Sequence, residues 1–223
     1  MYPKTSDMII GVISEGHADR AVIANILTGL TGLDRTDVLA IRPEYSRDET
    51  DKAKDPKTFS TWSVVKEECE RRDKIDDFLA LNDHDFVVIH LDTAEASLYG
   101  VTPPSKNAPD YSGTLRKLVI NQINRWLKDD ISSSILYAIA IEEMEAWILP
   151  IYEKRDSSRS AKPKEKLTFI LAKKQLNSTS SYDNFLTISK TLSKKRLANG
   201  LLKYNSSLKA FFDEIEVKVL PNL

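Results

Sequence analysis

Cysteine is almost missing from this chain: Cys69, in Val65-Lys66-Glu67-Glu68-Cys69-Glu70, is the only one in 223 residues. A single thiol makes no intramolecular disulfide and leaves a cysteine-based zinc centre short of ligands. Histidine is nearly as scarce, and His17, His84 and His90 do not have metalloprotease spacing. Only seven glycines occur, none in a Walker-type loop, which excludes nucleotide hydrolysis by a P-loop mechanism. No apolar run approaches the ~20 residues that span a bilayer, so no membrane association is expected. Met1-Tyr2-Pro3-Lys4 lacks the form of a signal peptide, and a cytoplasmic location is the expectation. Basic excess is missing as well: the net charge is −1, so any contact with a phosphate polymer must come from a local patch. Hydrophobic content of 41% and charged content of 29% are ordinary for a soluble globular chain. The length suits one domain, or one with a small appendage.

What the sequence does have is three acidic clusters, each placed where an apolar run stops. Met8–Ile13 leads into Ser14-Glu15-Gly16-His17-Ala18-Asp19, Phe86–Leu91 into Asp92-Thr93-Ala94-Glu95, and Ile135–Ile141 into Glu142-Glu143-Met144-Glu145. Short β-branched runs of this kind read as strands of a parallel sheet covered on both faces by helices. The crevice at the carboxyl ends of such strands is the usual ligand site. Carboxylates gathered there repel one another unless cations sit between them, and a hard cation such as Mg²⁺ is the economical partner. That points toward phosphate chemistry.

The first two thirds alternate strand and helix. Strands are predicted at Met8–Ser14, Val38–Arg42, Phe86–Leu91 and Ile135–Ile141, and helices at Ala18–Leu30, Thr61–Leu81, Thr114–Lys128 and Glu143–Tyr152. Glu44–Thr58 is charged and reads as a loop, and Asn82-Asp83 as a helix stop. Leu98–Tyr111 holds Pro103, Pro104 and Pro109, which exclude regular structure. It reads as a long substrate-side loop after an acidic strand end. Arg155–Lys164, rich in serine and basic residues and closed by Pro163-Lys164, is the candidate linker. Beyond it helices are expected at Lys164–Leu176, Asp183–Leu192, Ser193–Leu202 and Ser206–Glu216. The resulting prediction is an α/β fold with a parallel sheet of about four strands over residues 1–154, and a helical C-terminal extension over 155–223.

Each cluster has a bland explanation. A helix dipole by itself favours acids in a first turn, which accounts for Glu15 and Asp19, or for Glu142, Glu143 and Glu145, with no further role. Glu95, three residues after Asp92, either joins it or is solvated. Lys162, Lys164, Lys166, Lys173, Lys174, Lys190, Lys194, Lys195 and Arg196 bias the last third toward positive charge. Solvated helix faces give such patterns, whereas a functional reading makes them a phosphate-tracking surface with Lys195 and Arg196 nearest the metals. Trp62, Trp126 and Trp147 lie on apolar helix faces and read as core, as does His90 inside its strand. The combination of three acid-ended strands outweighs any one of them, provided the sheet order brings those strands together.

Glu15-Gly16-His17-Ala18-Asp19 after a first strand, followed by Asp92 after a later one, resembles the TOPRIM domain of topoisomerases, primases and overcoming-lysogenization-defect nucleases. The nuclease branch is the most similar, since an aspartate one helical turn after the glutamate also serves its metals. Glu143-Met144-Glu145-Ala146-Trp147 resembles the Glu-x-Glu-Ala segment of small bacterial TOPRIM-like proteins encoded beside an ATPase. The resemblance covers roughly residues 8–150. It implies a Rossmann-like sheet and a metal-dependent nuclease using Mg²⁺ (or Mn²⁺). Glu15, Asp19, Asp92, Glu143 and Glu145 would be the catalytic carboxylates, with Glu95 as an additional metal ligand; from the basic stretch, Lys195 is the candidate catalytic cation that neutralises charge on the scissile phosphate. The resemblance further implies nucleic acid as substrate, DNA ahead of RNA, an ABC-type ATPase subunit as partner, and bacterial defence against phage or plasmids. Homo-oligomerisation is left open. One position departs: the family's Asp-x-Asp reads Asp92-Thr93-Ala94 here. That weakens topoisomerase and primase roles and keeps two rivals in play. These are a non-catalytic binding module and a phosphoryl-transfer enzyme for a small molecule.

Overall fold

A computed structural model describes residues 8–43, 61–81, 84–128 and 131–223. The expected loop at Glu44–Thr58 and the stop at Asn82-Asp83 lie outside the described residues. Four strands, β1 (Ile9–Ile13), β2 (Val38–Arg42), β3 (His84–Asp92) and β4 (Ile135–Ala140), pair in parallel in the order β2-β1-β3-β4. Between them run α1 (His17–Thr31), α2 (Thr61–Arg71), α3 (Asp73–Leu79) and α4 (Tyr111–Leu127). Then follow α5 (Glu145–Tyr152), α6 (Pro163–Lys173), α7 (Tyr182–Ile188), a 3₁₀ turn at Lys190–Ser193, α8 (Lys195–Asn199) and α9 (Ser206–Lys218). The fold is the α/β architecture that the strand–helix alternation predicts. Among the described residues no helix is long and apolar enough to cross a membrane.

Alternation along each strand splits the core into two layers. Ile10, Val12, Val88, Leu136 and Ala138 face α1 together with Trp147, Leu167, Phe185 and Phe211 from the later helices. Ile13, Val87, Ile89, Leu91, Tyr137 and Ile139 face α2, α3 and α4. Helices after residue 154 therefore share the core of the sheet's first face. Asn25 of α1, wholly buried, donates to Leu186 O at 2.9 Å and to Ser189 Oγ at 2.8 Å. Trp147 Nε1 donates to Ser207 Oγ at 2.8 Å, and its ring stacks on Phe211.

Proline inside α5 explains a buried polar cluster. Pro150 has no N–H, so the carbonyl four residues back, Ala146 O, loses its helical partner. Ser157 Oγ at 2.7 Å and Asn205 Nδ2 at 3.1 Å donate to it instead. The segment after residue 154 thus supplies hydrogen bonds that α5 lacks.

The long helix expected over Thr61–Leu81 is broken in two. Arg72 takes a left-handed φ of 64°, its side chain pairs with Asp76 at 2.7 Å, and Glu68 accepts from Lys74 N at 3.1 Å. Continuous charge through Glu70-Arg71-Arg72-Asp73 hides that turn from any periodicity. Similarly, Asp183–Leu192 and Ser193–Leu202 resolve into shorter pieces, with the 3₁₀ turn between α7 and α8.

That turn lies against α1. A Cβ built on Gly29 would stand 2.5 Å from Leu192 O and 2.7 Å from Ser193 Cα. Both are backbone, so neither gives way cheaply. Gly29→Ala gains helix propensity of about 1 kcal/mol, but the overpacking costs roughly 1–3 kcal/mol. The expected outcome is net destabilisation with a lowered melting temperature. A variant that melts at or above the parent temperature would show the turn to be loosely seated.

Candidate functional site

Sheet order decides whether the acid-ended strands meet. The strand without an acidic end, β2, occupies an edge, while β1, β3 and β4 lie side by side. Their carboxyl ends, carrying Glu15, Asp92 and the Glu142–Glu145 segment, form one continuous edge. The chain leaves β1 toward β2 on one side and pairs it with β3 on the other, which places the switch in strand order between β1 and β3.

At the first strand end, Glu15 reaches across to β3: its Oε1 accepts from Asp92 N at 2.7 Å. Asp19 bends back over the start of α1, its Oδ2 accepting from Gly16 N at 2.9 Å. Gly16, at the N-cap of α1, has an extended φ of −140°. What the missing side chain provides is room. The Asp19 carboxylate lies 3.2 Å from where a Cβ would stand.

At the second, Asp92 faces His90, with Oδ1 and His90 Nε2 3.4 Å apart. His90 is fully buried, as a core histidine should be, but neither ring nitrogen makes a hydrogen bond and neither does Asp92 Oδ1. Tyr99 OH donates to Asp92 O at 2.9 Å. The following turn is tied to the third strand end. Glu142 N donates to Thr93 Oγ1 at 2.7 Å, and Ala94 N to Glu142 O at 2.9 Å. These bonds hold Glu142 at a φ of 66°, a conformation that costs a non-glycine residue about 1 kcal/mol or more. Thr93 is therefore a brace between two strand ends. Ala94 is exposed, as is Glu95, whose charge acts on the Tyr99 hydroxyl.

At the third, Glu142 meets Lys106 of the proline-rich loop at 3.3 Å. Arg159 braces that loop from the other side, donating to Pro109 O at 2.6 Å and Lys106 O at 3.4 Å. Glu143 Oε2 accepts from Lys164 N at 3.1 Å, which ties the start of α6 to the site. Glu145 is buried in the first turn of α5.

The charges crowd one another. Burial, with Asp92, Glu15 and Glu145 adding to it, pushes the Asp19 carboxyl up to about 8 against the opposing influence of His90. Asp92 is driven well upward by burial and by Glu15, Glu145 and Glu143, with a hydrogen bond from the Met144 backbone opposing. Glu145 rises for the same primary reason, with Lys164 and His90 working the other way. Glu15, Asp19, Asp92, Glu143 and Glu145 thus share one electrostatic neighbourhood. They are not gathered around one point: among the described residues no three His, Cys, Asp or Glu side chains are placed to hold a metal ion. Glu15, Asp19 and Glu143 each spend an oxygen on a backbone N–H instead.

Lys195 is not among these groups. It begins α8, two residues beyond Ser193, which abuts Gly29 near the far end of α1. That point is roughly 18 Å along the helix from the Glu15 end, at 1.5 Å per residue. Arg196 goes with it. The cations that act on the acidic edge are Lys106, paired with Glu142, and Lys164, one of the lysines named from sequence, whose charge acts on Glu145. His90 was read only as core, and its period-2 spacing from Asp92 was the signal that it shares that residue's face.

No protein-family model matches the chain, and neither curated proteins nor solved structures include a match to it.

Proposed function

We propose that the chain is a divalent-metal-dependent phosphodiester hydrolase of the TOPRIM type, acting on nucleic acid. The observation that carries this reading is the sheet order, which sets three acid-ended strands side by side and leaves the acid-free strand at an edge. The donors fit a hard cation chemically: they are carboxylate oxygens, burial and neighbouring charge raise the affinity of Asp19 and Asp92 for protons, and Asp92 Oδ1 is buried with no hydrogen-bond partner. Asp19, Asp92 and Glu15 would hold the ion, with Glu143 and Glu145 at its margin. A bound Mg²⁺ or Mn²⁺ supplies activation of a water and neutralisation of charge on the phosphate oxygens. The protein's own part is to fix the ligands. Glu15 bridges β1 to β3, Thr93 locks the β3 and β4 ends together, and the Glu143–Lys164 bond draws a cation to the rim. The resemblance extends this reading to a cytoplasmic effector of anti-phage or anti-plasmid defence, gated by an ABC-type ATPase.

Purified protein incubated with supercoiled plasmid and with RNA, in Mg²⁺, Mn²⁺ or EDTA, tests it. Cleavage that EDTA abolishes is expected, and no cleavage of either polymer in either metal counts against catalysis. A second reading, a non-catalytic nucleic-acid-binding module, is favoured by exposed Ala94 in place of an acid and by the ungathered carboxylates. Metal-independent binding without cleavage would select it.

Under the first reading, phosphate contact belongs near Lys164 rather than Lys195. Lys164→Ala is expected to weaken nucleic-acid binding several-fold and to reduce the slope of log affinity against log salt by about 1, as loss of one phosphate contact does. Lys195→Ala should leave both nearly unchanged. Binding titrations at several salt concentrations check this, and equal effects of the two variants would remove Lys164 from its place.

A further inference from the structure

His90 and Asp92 are two residues apart on β3, so both side chains stand on the same face of the sheet. On β4 the residues paired with them are Ala138 and Ala140. Methyl side chains beside both offer no polar partner. His90 is wholly buried, its Nδ1 and Nε2 lack hydrogen bonds, and Asp92 Oδ1 lacks one too. Orphaned buried polar atoms are uncommon because each costs roughly 1–3 kcal/mol. Here two of them face each other across 3.4 Å.

That separation has a meaning for a metal. Nitrogen and oxygen ligands at about 2.0–2.1 Å from a tetrahedral ion lie about 3.3–3.4 Å apart, against about 3.0 Å for adjacent octahedral ligands. Imidazole nitrogen suits zinc, iron and other first-row transition ions, whereas Mg²⁺ takes oxygen ligands in near-ideal octahedral geometry. We infer that His90 Nε2 and Asp92 Oδ1 form the anchoring pair of a mixed nitrogen–oxygen site that selects a divalent transition ion over Mg²⁺. This rests on the metal-dependent reading above and names its ion class. Asp19 and Glu145, whose charges both reach His90, are the carboxylates available to extend the pair. Neither completes a three-ligand group with it in this conformation.

The test is calorimetric titration of the full chain with Mn²⁺, Zn²⁺ and Mg²⁺ separately, joined to pulsed electron paramagnetic resonance of the Mn²⁺-loaded protein. Mn²⁺ and Zn²⁺ should bind at least about tenfold more tightly than Mg²⁺, and the Mn²⁺ signal should carry ¹⁴N coupling from a directly bound imidazole. In His90→Phe, which keeps a ring in the buried space, the preference should fall to near parity and the ¹⁴N coupling should vanish. The wild-type resonance measurement stands even if that variant fails to fold. Equal binding of Mg²⁺ and Mn²⁺ without ¹⁴N coupling overturns this inference and leaves the metal-dependent reading standing. Absence of binding by any of the three ions overturns both.

Discussion

Glu15→Gln is expected to reduce nucleic-acid cleavage by roughly a thousand-fold, the several kcal/mol that loss of a metal ligand's charge takes from transition-state stabilisation. The substitution is unusually clean here. Glu15 Oε1 accepts from Asp92 N at 2.7 Å, and a glutamine carbonyl oxygen keeps that bond. The link between the β1 and β3 ends survives while the negative charge goes. Glu15→Ala does not separate the two effects. It leaves Asp92 N without its acceptor, which costs about 1–3 kcal/mol of stability if the group stays shielded from water. Steady-state cleavage assays and thermal melts of both variants check the pair. A glutamine variant that folds normally and turns over at the wild-type rate removes Glu15 from the site.

Strands and their acidic ends were legible because burial on both faces demands continuous β-branched runs, and those runs stop where the chain meets solvent. Sheet order was not legible. Nothing in Val38–Arg42 announces that it lies outside β1 rather than between β1 and β3, yet that placement decides whether Glu15 touches Asp92 N. Linear charge counting pointed to Lys195 and Arg196, because a run of basic residues is conspicuous in one dimension. Packing of the 3₁₀ turn against Gly29 puts them at the other end of α1. Lys164 looked like one lysine among several, and only the bond from its backbone to Glu143 sets it at the acidic rim. The break at Arg72 and the partners of Ala146 O were hidden for a related reason. Both depend on tertiary contacts, Glu68 with Lys74 N in one case and Ser157 with Asn205 in the other, that leave no local pattern.

Removal of one carboxylate from the crowded edge is expected to stabilise the metal-free protein. In the folded chain burial pushes the Asp19 carboxyl up to about 8 from its ordinary value of 3.8. Between those pH values the folded state holds a proton that the unfolded chain has released. Rising pH therefore removes stability across that window, and the loss is complete only above about 8. Asp92 and Glu145 shift in the same direction and add to the slope. Asp19→Asn lacks the first contribution, and its side-chain oxygen can still accept from Gly16 N. In EDTA the variant and wild type should melt at similar temperatures near pH 4 and diverge as pH rises. By pH 8 the variant should melt about 5 °C higher, a difference of one or two kcal/mol for a chain of this size. Divalent ions should reverse the ranking, because they bind the folded wild type through the charge that the variant lacks. Melting curves at pH steps from 4 to 9, with EDTA and with Mn²⁺, measure both effects. Parallel curves for the two proteins in EDTA would mean that Asp19 pays no penalty for its neighbours, and the acidic edge would then be well solvated rather than poised for a cation.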